Sequence, residues 1–382
     1  MRANEFDVLV IGEGLSGITA AAAACQRGAH VMLASKGPGT FVLGTACVDL
    51  EGLHNRDLFP TCCGSSGQEE AIRFFVELTA AAGCAYEGGV GERRMVPTIM
   101  GTFADVSLAL RSLWKGDPRT FTKAVVVGIE SLFAFDARFV AARLSVHCRE
   151  LGLSASYCSA DIGLPPSKGH GWLTPLEMAS EIDRNPFYRQ TLIARLKRLA
   201  QNADLLILPG VLGLDTSNEE IRRIEDEIGC AICELPTLPP SVPGLRLLRR
   251  LESHLTKMGT EICTGFSIRN LCIDQGRCVG AVLDTPGRPR TVHADSVILA
   301  SGKFSRLLES DTDRERLSAH VDRVSGELQP LNSLGELLAT NVYECGSVLG
   351  KLESRYGNAI AIVSGYHAGM LACEQGVHYA RP

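Results

Sequence analysis

The sequence predicts an α/β protein: a Rossmann-like half made of residues 1–60 and 241–382, with a second α/β domain inserted over 61–240. Three observations predict it. The chain opens on an apolar run, a glycine-rich turn and an alanine-rich helical stretch. It closes on a strand, a turn and a helical stretch. The region between holds its own apolar strands, Ala124 to Val127 and Leu205 to Leu208, among helical periodicities.

In chain order, Phe6 to Ile11 is an apolar strand broken only by Asp7. Leu15 to Arg27 follows as a helix rich in good helix formers (Ala20 to Ala24), Gly28 stops it, and His30 to Ala34 is the next strand, which completes a βαβ unit. Near the end of the middle region, Pro236, Pro239, Pro240 and Pro243 remove donors and fix φ, so this segment is a rigid connector. Ser241 or Val242 precedes a helix starting near Pro243. Glu261 to Leu283 reads as two short strands around Asp274-Gln275-Gly276-Arg277, and Thr291 to Ala300 as a further strand ending at Ser301-Gly302. The charged stretch within Glu309 to Leu328 reads as a solvated, weakly ordered surface segment. Asn341 to Cys345, Gly346 to Gly357 and Asn358 to Glu374 form the closing strand, turn and helix.

Composition narrows the function. The 382 residues exceed one ordinary core, and 45% hydrophobic with 21% charged residues describes a globular chain. With 38 basic against 43 acidic side chains and a net charge of −5, no global basic field exists to bind nucleic acid or an anionic membrane. The longest weakly polar stretches, Gly14 to Gln26 and Ala359 to Cys373, fall short of the ~20 apolar residues that span a bilayer, so membrane contact is expected only through a partner. No secretory signal pattern opens the chain, and its 14 cysteines read as reduced thiols, which together predict a cytoplasmic protein. No metal site is predicted. Cys230 and Cys233 have CxxC spacing, but on a strand this odd offset sends the thiols to opposite faces. Cys62-Cys63-Gly64 lacks further cysteines at cluster spacing.

The chemistry-bearing motif is Gly12-Glu13-Gly14-Leu15-Ser16-Gly17, placed between strand and helix. The first glycine turns, the second lets backbone approach a pyrophosphate, and the third lets helix pack on strand, with the helix N-terminus facing the phosphates. Glu13 would repel that pyrophosphate unless its side chain turns outward. The acid expected at the end of the second strand for an NAD ribose is replaced by Ser35-Lys36-Gly37, so a dinucleotide other than NAD fits better; Ser35 suits a ribose and Lys36 a phosphate.

These elements, with Gly44-Thr45-Ala46, resemble the FAD-binding half of the fumarate reductase and aspartate oxidase group of flavoproteins. Val297 to Gly302 is similar to the strand end of that group, and Tyr343 to Val348 to the turn that brings backbone near the isoalloxazine. The resemblance implies cofactor contacts at Gly12, Gly14, Leu15, Ser16, Gly17, Ser35, Lys36, Gly44, Thr45, Ala46, Ser301, Gly302, Gly346 and Ser347, with Gly357 opening the last helix beside the flavin.

The segment Leu235 to Leu247, with Val125 to Ile129 and Gly346 to Gly350, further resembles the B subunit of anaerobic glycerol-3-phosphate dehydrogenases, from the first strand to the last helix. That family implies a flavoprotein subunit working alongside a catalytic flavoprotein subunit and an iron-sulfur subunit. The complex oxidises sn-glycerol 3-phosphate to dihydroxyacetone phosphate and passes electrons to quinone. The family is credited with FMN, whereas the pyrophosphate-binding turn favours FAD. The chain departs from the family pattern in a shorter 303–341 segment and in Lys351 to Tyr356, which replaces a glycine-rich approach to the last helix.

No base and phosphate clamp assemble from the residues. Arg246 reads either as an anion clamp near the flavin or as a structural ion pair, with Thr237 alongside, and His170 and His367 read as structural or surface residues. Three functions stay open. One is a flavin-dependent dehydrogenase subunit, and a second is a non-catalytic electron-transfer or assembly subunit whose sister chain does the chemistry. The third is a lone oxidase or reductase of the fumarate reductase group.

Overall fold

The computed structural model describes residues 4–51, 53, 62–133, 135–165, 171–302, 324–332, 334–349 and 356–374. It has the mixed α/β character expected and divides into two compact units. One comprises 1–40, 50–78 and 251–382, the other 41–49 and 79–250. Residues 61–78 thus group with the first unit and 241–250 with the second.

The chain starts as the pattern predicts, with β1 (Glu5–Glu13), α1 (Leu15–Gln26) and β2 (Val31–Pro38). Residues Leu15 to Ala24 of α1 are all buried, which is why the helix carries no polar face. Then come α2 (Ser65–Ala81), β3 (Tyr86–Gly88), β4 (Arg94–Pro97), β5 (Phe103–Val106), β6 (Leu108–Leu110), α3 (Arg111–Trp114), β7 (Lys123–Ile129), α4 (Ala137–Glu150) and β8 (Ser156–Ile162). The middle continues with α5 (Pro175–Arg184), α6 (Pro186–Ala200), β9 (Leu205–Pro209), α7 (Asn218–Ile228), β10 (Ala231–Leu235) and α8 (Val242–Met258).

The second unit is built on a parallel four-stranded sheet in the order β10-β9-β7-β8. Alternation along its strands fills two cores. Val125, Val127, Leu206, Leu208 and Ile232 face one, while Ala124, Val126, Leu205, Ile207 and Cys233 face the other. This explains the continuous apolar runs in sequence. Helix starts follow local chemistry: Thr174 with Glu177 and Ser217 with Glu220 form capping boxes on α5 and α7, and Asn185 caps α6 before Pro186. Ser241 Oγ accepts from the Gly244 amide at the start of α8, the position expected for a helix opening at the proline segment.

The chain ends with β11 (Glu261–Thr264), β12 (Ser267–Asp274), β13 (Arg277–Asp284), β14 (Arg290–Leu299), β15 (Val342–Glu344) and α9 (Gly357–Glu374). Gln275 and Gly276, both at positive φ, make the tight hairpin turn between β12 and β13. The sheet of the first unit runs β11-β2-β1-β14-β13-β12. Its β14 is parallel to β1 from His293 to Leu299, antiparallel to β13 along its first half, and parallel to β15 along its last three residues. The buried Asn341 ties these together, donating to the Cys278 and Asp295 carbonyls and accepting from the Cys278 amide. One sheet face carries Leu9, Ile11, Met32, Ala34, Val297, Leu299 and Val342. Helices α1 and α9 pack together so closely that a Cβ on Gly365 would lie 2.3 Å from the Ser16 carbonyl oxygen, and one on Gly369 2.4 Å from that of Ala20. No helix among the described residues is long and apolar enough to cross a membrane. The charge run at 309–323, His170 and the 351–355 departure lie outside the described residues.

Candidate functional site

Strands β2, β1, β14 and β15 are parallel neighbours, so their carboxyl ends share one edge of the first unit, where open α/β sheets bind ligands. The three motif glycines do three separate jobs there. Gly12 sits at φ +116°, and a Cβ on it would lie 2.3 Å from the Ala300 carbonyl oxygen, so only glycine makes this turn. A Cβ on Gly17 would lie 1.8 Å from the Gly12 carbonyl oxygen, which fixes the close approach of helix to strand. Gly14 is the opposite case. A Cβ there would meet nothing within 4 Å, and α1 starts at this residue without any side-chain cap. The first-turn amides of α1 therefore have no intrahelical acceptor, and the space in front of Gly14 is open. A Cβ on Gly37 or on Gly357, the first residue of α9, would also meet nothing within 4 Å. Open glycine backbone at a helix N-terminus is the donor set and the shape a pyrophosphate requires, so the residues present fit FAD.

The neighbouring turns close onto this motif. The Ala300 amide donates to Ile11, and the Cys345 amide to Leu299. A Cβ on Gly302 would lie 3.6 Å from Ser347 Oγ, so these two predicted residues adjoin, with Ser301 preceding them. Gly346, at φ +80°, faces Ser16, whose Oγ would lie 2.4 Å from a Cβ there, and its amide donates to Ser364 Oγ. Ser16 thus joins α1 to the β15 turn, and Leu15 is buried, so both offer the edge their backbone. Lys36 is exposed on β2. Gly44, Thr45 and Ala46 belong to the second unit, where the Ala46 carbonyl accepts from Tyr86 and Ala46 holds a positive φ of 52°.

Two acidic residues stand out, one against the sequence reading and one that it left unassigned. The Glu13 side chain does not turn outward. It is 2% exposed and folds inward over the end of β2, with Oε2 accepting from Ser35 Oγ at 2.8 Å and from Thr264 Oγ1 at 3.2 Å. No local pattern announces this, because Thr264 lies on β11, far along the chain. The second is Glu344, at the end of β15. It is 4% exposed, its Oε2 has no hydrogen-bond partner, and desolvation pushes its pKa up to about 7. An acid closing the apolar run Val342-Tyr343-Glu344 was the available signal.

Other candidates resolve into structure. Arg246 gives Nη1 and Nη2 to the two Glu234 carboxylate oxygens at 2.6 and 3.0 Å and Nε to the Gly213 carbonyl, all within the second unit. It is the buried ion pair, with no fork left for an anion. Thr237 is buried with an unpartnered hydroxyl. The His367 ring lies against Gly67 of α2, and burial lowers its pKa. Cys230 and Cys233 do point into opposite cores of the second sheet.

Comparison with known proteins places these features. A relative from Halobacterium salinarum, named as a probable B subunit of anaerobic glycerol-3-phosphate dehydrogenase, is 27% identical over 97% of this chain and 99% of its own length. Proteins named as the B subunit of the same anaerobic dehydrogenase match from Glaesserella parasuis, 23% identical over 94% of this chain and 97% of the relative, and from Pectobacterium carotovorum, 27% identical over 81% and 78%. The sequence model of the FAD binding domain matches residues 7–251 and 243–335. With its glycine turn, uncapped helix and open phosphate edge in place, the chain belongs to the FAD binding domain family.

Proposed function

We propose that this chain is a flavoprotein subunit of an anaerobic sn-glycerol-3-phosphate dehydrogenase complex, in which glycerol 3-phosphate becomes dihydroxyacetone phosphate and electrons pass to an iron-sulfur partner and on to quinone. The observation that carries the reading is an FAD cradle in a chain that matches, nearly end to end, a relative named for that dehydrogenase. FAD, when bound, supplies the two-electron acceptor for alcohol oxidation. The α1 amides and dipole hold the pyrophosphate, with Gly14 leaving it room. Gly302, Ser347 and Gly346 line the continuing edge, and Lys36 is assigned as a further cofactor contact. Glu344, its carboxyl pushed up to about 7 by desolvation, is divided between carboxylate and acid near neutral pH and has an unpartnered oxygen, so its carboxylate form is suited to take up the proton that alcohol oxidation releases.

A second reading, electron transfer without alcohol chemistry, is favoured by Arg246, the basic group best suited by sequence to clamp a phosphate, being consumed by Glu234. One anaerobic experiment separates them. Glycerol 3-phosphate is added to the purified chain and to the co-expressed complex while the flavin absorbance is followed. Reduction in the chain alone supports catalysis here; reduction only in the complex supports the transfer reading; oxidised flavin in both overturns the proposal.

A further inference from the structure

We propose that Glu13 supplies the ribose-binding carboxylate that the end of β2 lacks, taking the adenosine ribose hydroxyls of FAD. In dinucleotide folds an acid closing β2 receives those hydroxyls, and here Ser35 and Lys36 stand in its place. Glu13, from inside the glycine motif, reaches the same spot from the neighbouring strand. Its Oε2 is 2.8 Å from Ser35 Oγ, and Thr264 Oγ1 lies 3.2 and 3.3 Å from Oε2 and Oε1. Ser35 and Thr264 are direct partners in the β2–β11 ladder, so the carboxylate lies across the carboxyl ends of both strands.

Three further observations point to a ligand. A carboxylate has about four acceptor sites. The described residues place two hydroxyls and no Lys or Arg on a group that is 2% exposed. A buried charge with acceptor sites unmet is costly, and the vicinal diol of a ribose offers two donors to fill them. The Glu13 backbone is also pinned, since its carbonyl accepts from the Gly39 amide at 3.1 Å and a Cβ on Gly39 would strike Gly14 Cα at 2.4 Å. Finally, the space beside Gly37 is open. The inference rests on FAD binding by this fold, not on the substrate proposed above.

The test uses the full chain stripped of flavin and titrated with FAD, FMN and an FAD analogue lacking both adenosine ribose hydroxyls, following flavin fluorescence. Wild type is expected to bind the analogue about 10- to 100-fold more weakly than FAD. Glu13→Gln is expected to lose a similar factor for FAD, nothing for FMN, and little more for the analogue. Equal wild-type affinity for FAD and the analogue overturns the proposal without need of any variant. Parallel losses of FAD and FMN in Glu13→Gln also overturn it, since they mark a purely structural clamp, as does tighter FAD binding by the variant, which marks a carboxylate that excludes adenosine. Wild type that binds no FAD overturns this inference and the flavin reading together, whereas FAD binding indifferent to the ribose hydroxyls overturns this inference alone.

Discussion

Gly17 packs directly beneath Gly12, where a side chain would stand 1.8 Å from the Gly12 carbonyl oxygen, while Gly14 between them faces open space. The two positions therefore fail differently. Gly17→Ala forces backbone apart and is expected to cost about 1–3 kcal/mol, lowering the melting temperature of the flavin-free protein by several degrees. Gly14→Ala, at an ordinary φ of −82°, should leave that melting temperature within about 1 °C but weaken FAD binding at least about 10-fold. Calorimetry and fluorescence titration on both variants check the contrast; a melting loss in Gly14→Ala equal to that of Gly17→Ala counts against an open cofactor edge.

Glu344 makes stability depend on pH in an unusual direction. Desolvation raises its carboxyl from 4.5 to about 7. Between those values the unfolded chain has released the proton while the folded chain keeps it, so stability is highest below pH 4.5, falls as pH rises towards 7, and is flat above. The contribution is on the order of 3 kcal/mol. In Glu344→Gln that fall should vanish, so the variant gains on wild type between about pH 5 and 8, measured by urea unfolding of the flavin-free protein.

The Arg246–Glu234 pair sets an asymmetry between single and double substitutions. Arg246→Ala leaves the Glu234 carboxylate buried among the Leu212 amide and apolar neighbours, and is expected to cost about 3–5 kcal/mol. Arg246→Met combined with Glu234→Leu removes both charges and should cost clearly less than Arg246→Ala alone. Denaturant midpoints of the three proteins decide it.

Gly365 and Gly369 of α9 leave no room for a side chain where that helix crosses α1. Gly369→Ala brings a methyl to 2.4 Å from the Ala20 carbonyl oxygen and should destabilise by about 1–3 kcal/mol. Ala substitution at Gly152, where a Cβ meets nothing within 4 Å although φ is +69°, tests backbone strain without crowding and should cost less, about 1 kcal/mol. Thermal unfolding of the two variants compares them.

The glycine motif was legible because its requirements are local: a turn, a close approach and a helix start all fall within Gly12 to Gly17. The β12–β13 hairpin and the doubly buried strands of the second unit were legible for the same reason, through Gln275-Gly276 and runs such as Ala124 to Val127. What escaped depends on partners distant along the chain. The direction of Glu13 is set by Thr264, and the choice between clamp and ion pair at Arg246 by Glu234 on the preceding strand. Neither partner carries a local signature. Glu344 was visible as a residue but not as a buried acid, since the short β15 is covered only once β14 and the 328–329 turn are in place.

Strand β1 finds its neighbour β14 only near the far end of the chain, with Glu5 opposite His293 and Ile11 opposite Leu299. During synthesis at about 5–20 residues per second, one edge of this strand waits on the order of tens of seconds before its partner leaves the ribosome. The second unit, whose sheet is complete by β10, can form its cores in that interval. A nascent chain halted before β14 therefore presents an unpaired apolar edge, a natural substrate for chaperones and a route to aggregation.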